Sequence, residues 1–340
     1  MKKVTLIDIA LAAGVSRSAV ARVILGTGGK AVRVSEETGE KIQQVARRLG
    51  YSPNRQAQQL RGKASRTFGV LLDTGNLPVM SERLFAIEAE ACRRGYRMLI
   101  GRCHSDEAGL REYVDDFSGR GVEAIFCLFD LMPGRDERAV DCFKRFRKVI
   151  FHGRPAWPGG YAIRVDTERA IGDAVDHLVS RGKRRLGIAL WNAGRDELMA
   201  VRREAFSASV ASHRLEETVW DASAQGQEPS PELLDLGIEY LVAQKRCDAV
   251  LASNDVWGTR FIQRLRERGA RVPEDVAVVG YDNLEISRVI SPPLTTVDQS
   301  HDSYAKAAVD MLIAVAGGQR ISVAARVVSI APELVLRASS

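Results

Sequence analysis

Arg17, Ser18 and Arg22 are the side chains left facing outward when the apolar positions around them are assigned to a core. Guanidinium and hydroxyl donors displayed together suit base edges and phosphate oxygens. To present them, the chain needs a short helix held tightly against a second one, and the neighbouring residues provide for both. Leu6, Ile9, Ala10 and Ala13 recur at helical spacing, and Val15, Val20 and Val23 resume the apolar set after Gly14. Small Ala10 allows close helix approach, and Gly14 supplies the backbone freedom of a tight interhelical turn. Thr5 with Asp8 forms a capping-box pattern, and Ser16 is a natural N-cap for the second helix.

An ordinary helical hairpin would show the same periodicity, but the charge distribution argues against it. Residues 1–66 hold 13 Lys and Arg against 4 Asp and Glu, a balance of +9, so the remaining residues carry 36 against 39, or −3, within a total of +6. A polyanion partner for the amino-terminal part explains the asymmetry, since phosphate neutralisation releases counterions. A third helix is expected from Ser35 through Ile42, Val45, Ala46 and Leu49 to Gly50, with Glu36 and Glu37 at its positive end. The polar run from Pro53 to Gly62 is too short for stable isolated helicity.

From Phe68 the rhythm changes to short apolar strands alternating with helical segments. Strands are expected at 68–73, 98–101, 124–129 and 149–152, then in a second round at 162–165, 186–190, 249–253 and 276–280. The expected fold is an all-α helix-turn-helix domain with a short polar helical segment after it, which the resemblance given below makes a hinge helix, followed by a two-lobed α/β domain of doubly wound parallel sheets. Its boundaries are 1–51 for the first domain, 52–66 for the hinge and linker, and 67–340 for the rest. Lobe 1 is expected at about 67–160 and 292–320, and lobe 2 at about 161–291 and 321–340. Ligands are expected at strand carboxyl ends, in the crevice between the lobes.

The 340 residues, 45% of them apolar, contain no run of eighteen apolar residues and no signal-peptide core after Met1, which predicts a cytoplasmic protein. The five cysteines, Cys92, Cys103, Cys127, Cys142 and Cys247, lack C-x-x-C spacing and read as reduced. The five histidines show no metal spacing and no nucleophile elbow is present, so neither enzyme, metal site nor cofactor is expected. Gly29-Lys30 is not a phosphate-binding loop, because Ala31 replaces the hydroxyl residue and a helix precedes it.

Several motifs in order give the chain a resemblance to the lactose-repressor (LacI) family of bacterial transcription regulators over essentially its whole length. They are Val4-Thr5-Leu6-x-Asp8-Ile9-Ala10-x-x-Ala13-Gly14-Val15-Ser16, Val34-Ser35-x-x-Thr38, Gly50-Tyr51-x-Pro53-Asn54-Arg55, Ala57-x-x-Leu60, Gly280-Tyr281-Asp282-Asn283 and Pro292-Pro293-Leu294-Thr295-Thr296-Val297. The resemblance implies a homodimer whose second helices enter two major grooves, with Thr5, Ser16, Arg17, Ser18 and Arg22 at the DNA surface. It further implies a hinge helix at Pro53–Leu60, with Asn54 and Ala57 beside an apolar wedge, Leu60, in the minor groove. The carboxyl-terminal domain would be periplasmic-binding-protein-like and bind a small effector, a sugar or sugar acid. Arg202 would grip it bidentately, with Asn254 and Asp282 as further polar contacts, Gln299 and His301 on the cleft floor, and Asp73 facing the cleft or capping a loop.

Departures from the family pattern are Ala19 and Ala21 where hydroxyls usually meet phosphate, Gly39 in place of a common Arg, and an extended loop at residues 26–33. The segment Asp73–Met80 lacks the usual Asn-Pro-aromatic pattern, so ligand identity is not inherited. Asp255 is expected to cap the following helix, Asp166 to serve a structural turn, and Trp191 and Trp257 either to stack on a sugar or to join the core. The expected function is a repressor released from its operator by the effector. Alternatives are a corepressor-dependent regulator and a sugar-binding transport protein, the latter opposed by the basic amino-terminal module. The chain shows no leucine-heptad tail, which favours a dimer.

Overall fold

The computed structural model describes residues 4–26, 33–51, 64–72, 78–103, 107–129, 137–144, 146–191, 197–222 and 230–340. The chain divides into two compact units, Met1–Ser65 and Arg66–Ser340. In the first, α1 (Leu6–Ala13), α2 (Arg17–Leu25) and α3 (Glu36–Arg48) close around Ile9, Ala10, Ala13, Val20, Ile42, Val45 and Ala46. Each helix starts on a hydroxyl side chain. Thr5 caps α1 in a complete capping box with Asp8, Ser16 accepts from the Ala19 amide at 3.1 Å, and Ser35 accepts from the Thr38 amide at 3.3 Å. Gly14 takes a left-handed φ of 68° after α1, and its N–H returns to the carbonyls of Ala10 and Leu11. That conformation turns the chain directly into α2.

The second unit holds two six-stranded sheets. The first contains β1 (Thr67–Leu72), β2 (Arg97–Arg102), β3 (Ala124–Leu128), β4 (Val149–His152), β5 (Tyr161–Val165) and β11 (Val327–Ile330), all parallel, in the order β11-β5-β4-β3-β1-β2. Between these strands run α4 (Pro78–Arg93), α5 (Glu107–Gly119) and α6 (Glu137–Cys142). The second sheet has β6 (Leu186–Leu190), β7 (Thr218–Asp221), β8 (Ala249–Ala252), β9 (Ala277–Tyr281), β10 (Thr295–Asp298) and β12 (Glu333–Val335), ordered β12-β10-β9-β8-β6-β7 with only β12 antiparallel. Its helices are α7 (Thr167–Ser180), α8 (Glu197–Ser212), α9 (Pro231–Ile238), α10 (Asp255–Glu267) and α11 (Glu285–Val289). The helix α12 (His301–Ala316) returns to pack on the first sheet through Tyr304, Ala305, Ala308, Val309 and Leu312. Both sheets are covered on two faces, which is why their central strands are continuous apolar runs.

The lobe boundaries differ from those expected. Tyr161–Val165 belongs to the first sheet, where it pairs with β4 and β11, and Thr295–Asp298 belongs to the second, between β9 and β12. The segment 321–340 is likewise shared, β11 going to one sheet and β12 to the other. Both lobes repeat one strand-helix rhythm, so the pattern marks each strand but not the sheet it joins. The chain crosses between lobes after β5, after β10 and after β11, and the crossings are tied together. The Asp166 amide donates to the Ile330 carbonyl at 2.9 Å, and the Ser300 hydroxyl to that of Ala331 at 2.9 Å. No helix among the described residues is long and apolar enough to cross a membrane.

Candidate functional site

On α2, Val20 and Leu25 are buried while Arg17, Ser18 and Arg22 are exposed. Among the described residues no carboxylate pairs with either arginine, so their donors face solvent. Ser16 has its oxygen committed to the α2 cap, and Thr5 exchanges hydrogen bonds with Asp8, its amide donating to Asp8 Oδ2 at 2.8 Å. Those two residues therefore fix where the helices begin, while Arg17, Ser18 and Arg22 carry the outward chemistry. Glu36 and Glu37 sit at the positive end of α3 and Arg47 and Arg48 at its negative end, as the helix dipole favours. Asn54, Ala57 and Leu60 lie outside the described residues, as does Asp73.

In the second unit a chain of buried polar side chains joins the lobes at the carboxyl ends of the strands. Asp282 follows β9, with φ of 113°, and Asn283 follows with φ of 51°. Such angles are costly away from glycine and persist where surrounding bonds over-determine them. Here the Asn283 side chain donates to Asp298 Oδ2 at 2.7 Å and accepts from Arg337, while the Asp282 amide donates to the Val297 carbonyl at 2.9 Å. The buckle leaves Asp282 Oδ1 accepting from Gln299 Nε2 at 2.5 Å, with Arg202 Nη2 3.9 Å away. Arg202, on α8, donates to the Ser253 carbonyl and lies over the Tyr281 ring, 3.7 Å from guanidinium carbon to centroid.

The other end of the relay was not foreseen. Gln299 Oε1 accepts from Arg83 Nη2 at 2.6 Å, and Arg83 Nη1 donates to His152 Nε2 at 3.0 Å. Arg83 lies on α4 of lobe 1, is 1% exposed, and covers the Tyr304 ring at 4.4 Å, as Arg202 covers Tyr281. His152 Nδ1 is 2.7 Å from Tyr304 Oη, whose hydroxyl donates to the Ile163 carbonyl at 3.2 Å. The directions are mutually fixed: Nδ1–H donates to the tyrosine oxygen, and Nε2 accepts from Arg83. His152 is therefore the neutral tautomer, in agreement with a pKa held well below its ordinary value by burial and then by the Arg83 charge.

Burial also pushes Asp282 up to about 6, against the opposing pull of Arg202. His301 is driven down to about 4 by burial and by Arg83, so its 3.7 Å approach to Glu82 is not an ion pair near neutral pH. Both His301 ring nitrogens are buried without a hydrogen-bond partner among the described residues. Of the expected effector residues, Arg202, Asp282 and Gln299 come together directly, and His301 stands near them on the first turn of α12.

Asn254 is the N-cap of α10, its Oδ1 accepting from the Trp257 amide at 2.9 Å. The cap expected of Asp255 thus belongs to its neighbour. Asp255 is instead fully buried beneath Gly280, accepting from Thr296 Oγ1 and from the Leu284 amide at 2.7 Å. A Cβ at position 280 would collide with its carboxylate, which accounts for that glycine. Asp166 caps α7, the structural role expected of it. Trp257 is core, packed on Trp220 at 5.7 Å, and Trp191 lies half-buried against the same cluster, so Trp257 is not available for sugar stacking. Arg83 does carry a trace in the sequence: it occupies the buried stripe of Val79, Ile87 and Ala91, where helical spacing places an apolar side chain.

Residues 5–54 match the family model of bacterial regulatory proteins of the lacI family, and residues 175–340 match a periplasmic binding protein-like domain. The HTH-type transcriptional repressor PurR of Mannheimia succiniciproducens is 27% identical over 342 residues, spanning 98% of each chain. That of Vibrio cholerae is 26% identical over 313 residues, covering 91% of this chain and 90% of its own. Among solved structures, the lac repressor dimer bound to operator and the anti-inducer ONPF superposes with a TM-score of 0.81 at 26% identity, covering 99% of both chains. The lac repressor bound to ONPG in its repressed state gives 0.82 at 25% identity over the full length of both. The chain thus joins a lacI-family helix-turn-helix domain to a periplasmic-binding-protein-like domain, and it is similar from end to end to PurR and lac repressors.

Proposed function

We propose that this protein is a DNA-binding repressor that reads an operator through α2 and leaves it when a small sugar or sugar acid occupies the cleft. The supporting observation is the pairing, within one chain, of an outward basic helix with a polar relay that joins two lobes. Arg17, Ser18 and Arg22 would contact base edges, with Thr5 and Ser16 setting the helix starts against the phosphates. Asn54, Ala57 and Leu60 would form the hinge in the segment 52–66, ordered by DNA and released by ligand. Arg202, Asp282 and Gln299 would hold the effector, with Asp73, Asn254 and His301 beside them. Because the relay's members come from both lobes, any ligand that replaces one of its bonds shifts the balance between lobe orientations.

A homodimer fits the exposed apolar side chains of lobe 1, Phe85 on α4 at 70% and Ile100 on edge strand β2 at 50% exposure. The similarity is to transcriptional repressors, and the site reads as one for binding, without a reaction assigned to it.

The test is operator binding by fluorescence anisotropy with fragments from the protein's genomic neighbourhood, titrating salt and a panel of sugars and sugar acids. Specific binding released by one compound establishes the inducible repressor. Binding that tightens establishes corepression, and salt-sensitive binding without sequence preference sinks the operator-reading role of Arg17, Ser18 and Arg22.

A further inference from the structure

Arg83 is the least expected residue in the molecule. It is a fully buried guanidinium within the apolar layer of lobe 1, and buried charges ordinarily have an opposite charge beside them. Its hydrogen-bond partners are neutral: His152 Nε2, Gln299 Oε1 and a distant Met80 sulfur at 3.9 Å. Among the described residues no carboxylate pairs with it, and its Nε–H is buried without an acceptor. Arg202, 6% exposed on the opposite lobe, also has an Nε–H with no acceptor among the described residues.

Asp282 is the one carboxylate in the relay, and it already serves Gln299 and Arg202. Asp255 lies behind Gly280 with its oxygens taken by Thr296 and the Leu284 amide, and the side chain of Glu82 is 43% exposed. Among the described residues, the buried relay therefore holds two fixed positive charges, one carboxylate and a neutral histidine. Two guanidiniums, one on each lobe and linked through Gln299 and Asp282, each keep a donor unbonded among the described residues, and together they supply the charge and the planar forks that an anion clamp needs.

Resting on the effector-site reading above, we propose that the effector carries an acidic group, a carboxylate or a phosphate, held jointly by Arg83 and Arg202. The acid supplies the missing negative charge and accepts from the unbonded Nε–H groups. A neutral polyol lacks both. Arg83 is thus a specificity-determining residue that favours acids over neutral sugars of the same size.

The test uses the full-length chain and two readouts, melting temperature and operator anisotropy. The probes are D-gluconate, D-glucuronate, D-glucose 6-phosphate and inorganic phosphate, each compared with D-glucose and D-glucitol at matched ionic strength. At least one organic acid should raise the melting temperature by roughly 3–6 °C and change operator affinity at least about tenfold, with the neutral compounds inert. A response confined to the carboxylates or to the phosphate esters identifies which acid the clamp takes.

Arg83→Met, which removes an unpaired buried charge while filling its space, should melt higher than the parent without ligand and lose the acid response. Arg83→Lys, which retains the charge without the planar fork, should keep part of it. The proposal is overturned if a neutral sugar matches its acid, if no acid at millimolar concentration shifts the melting temperature, or if Arg83→Met melts lower or does not fold. The last outcome would make Arg83 a latch between lobes. Specific operator binding with no acid effect overturns this inference alone, whereas absence of any specific operator overturns the repressor reading itself.

Discussion

On α2, Arg17 and Arg22 stand in solvent with no carboxylate paired to them among the described residues, whereas in the cleft Arg83 and Arg202 are more than nine-tenths buried, each laid over a tyrosine ring. One side chain serves opposite ends. In water the guanidinium is well hydrated and its attraction is screened within about 8 Å at physiological salt, so it waits for a polyanion at little cost. In the cleft the same group has lost its water, and each unsatisfied donor carries the cost of desolvation. On the reading proposed above, replacing the exposed pair affects DNA binding alone, while the buried pair is bound up with the packing of the second unit.

The largest expected effect follows from that contrast. Arg202→Ala leaves Asp282 buried beside an empty space, so the second unit should lose about 3–5 kcal/mol of stability together with its ligand response. Chemical denaturation and calorimetry with the effector check this; an Arg202→Ala variant with parental stability and ligand affinity would remove Arg202 from the site.

The buried carboxylates give the next effect. Asp255 is pushed up to about 7 and Asp282 to about 6, both mainly by burial, so the folded chain binds more protons than the unfolded chain between about pH 4 and those values. Their contribution to stability is complete below about pH 4 and is lost progressively as pH rises towards 6 for Asp282 and 7 for Asp255. Asp255→Asn, which keeps one carbonyl acceptor, should therefore gain on the parent as pH rises across that window. Paired urea titrations at several pH values measure it, and a difference that is flat in pH contradicts the assignment.

On the exposed side, Arg22→Ala should weaken operator binding by about 1–3 kcal/mol and relax one base position, with no loss of thermal stability. An unchanged sequence preference would break the contrast from its other end. The smallest effect belongs to Gly39, inside α3, where a Cβ would meet nothing within 4 Å. Gly39→Ala should stabilise the first unit by roughly 0.5–1 kcal/mol, read as a higher midpoint in denaturant.

The three helices of the first unit were legible almost residue by residue, because they are specified locally: a hydroxyl cap, a helical stripe and a left-handed glycine each act within a few positions. In the second unit the strands were legible as apolar runs, yet the lobe to which Tyr161–Val165 or Thr295–Asp298 belongs was not. Sheet membership is decided by long-range hydrogen bonding, which leaves no periodicity of its own. The short strand Thr218–Asp221 escaped notice for want of an apolar run, being only half-buried along most of its length. Arg83 and His152 escaped because charged and titratable residues are expected on outward faces. Their partners, Gln299 and Tyr304, lie 216 and 152 positions away.

Gln299 has a further consequence. Its amide presents an acceptor to Arg83 and a donor to Asp282, so it works as a polarity adaptor between a cation on one lobe and an anion on the other. Glutamate there would face Asp282 with a like charge, and lysine would do the same to Arg83. The plane of the amide also has one correct orientation: rotated by half a turn, it would set NH2 against guanidinium and oxygen against carboxylate. The junction between the lobes is keyed, like a plug that enters its socket only one way round.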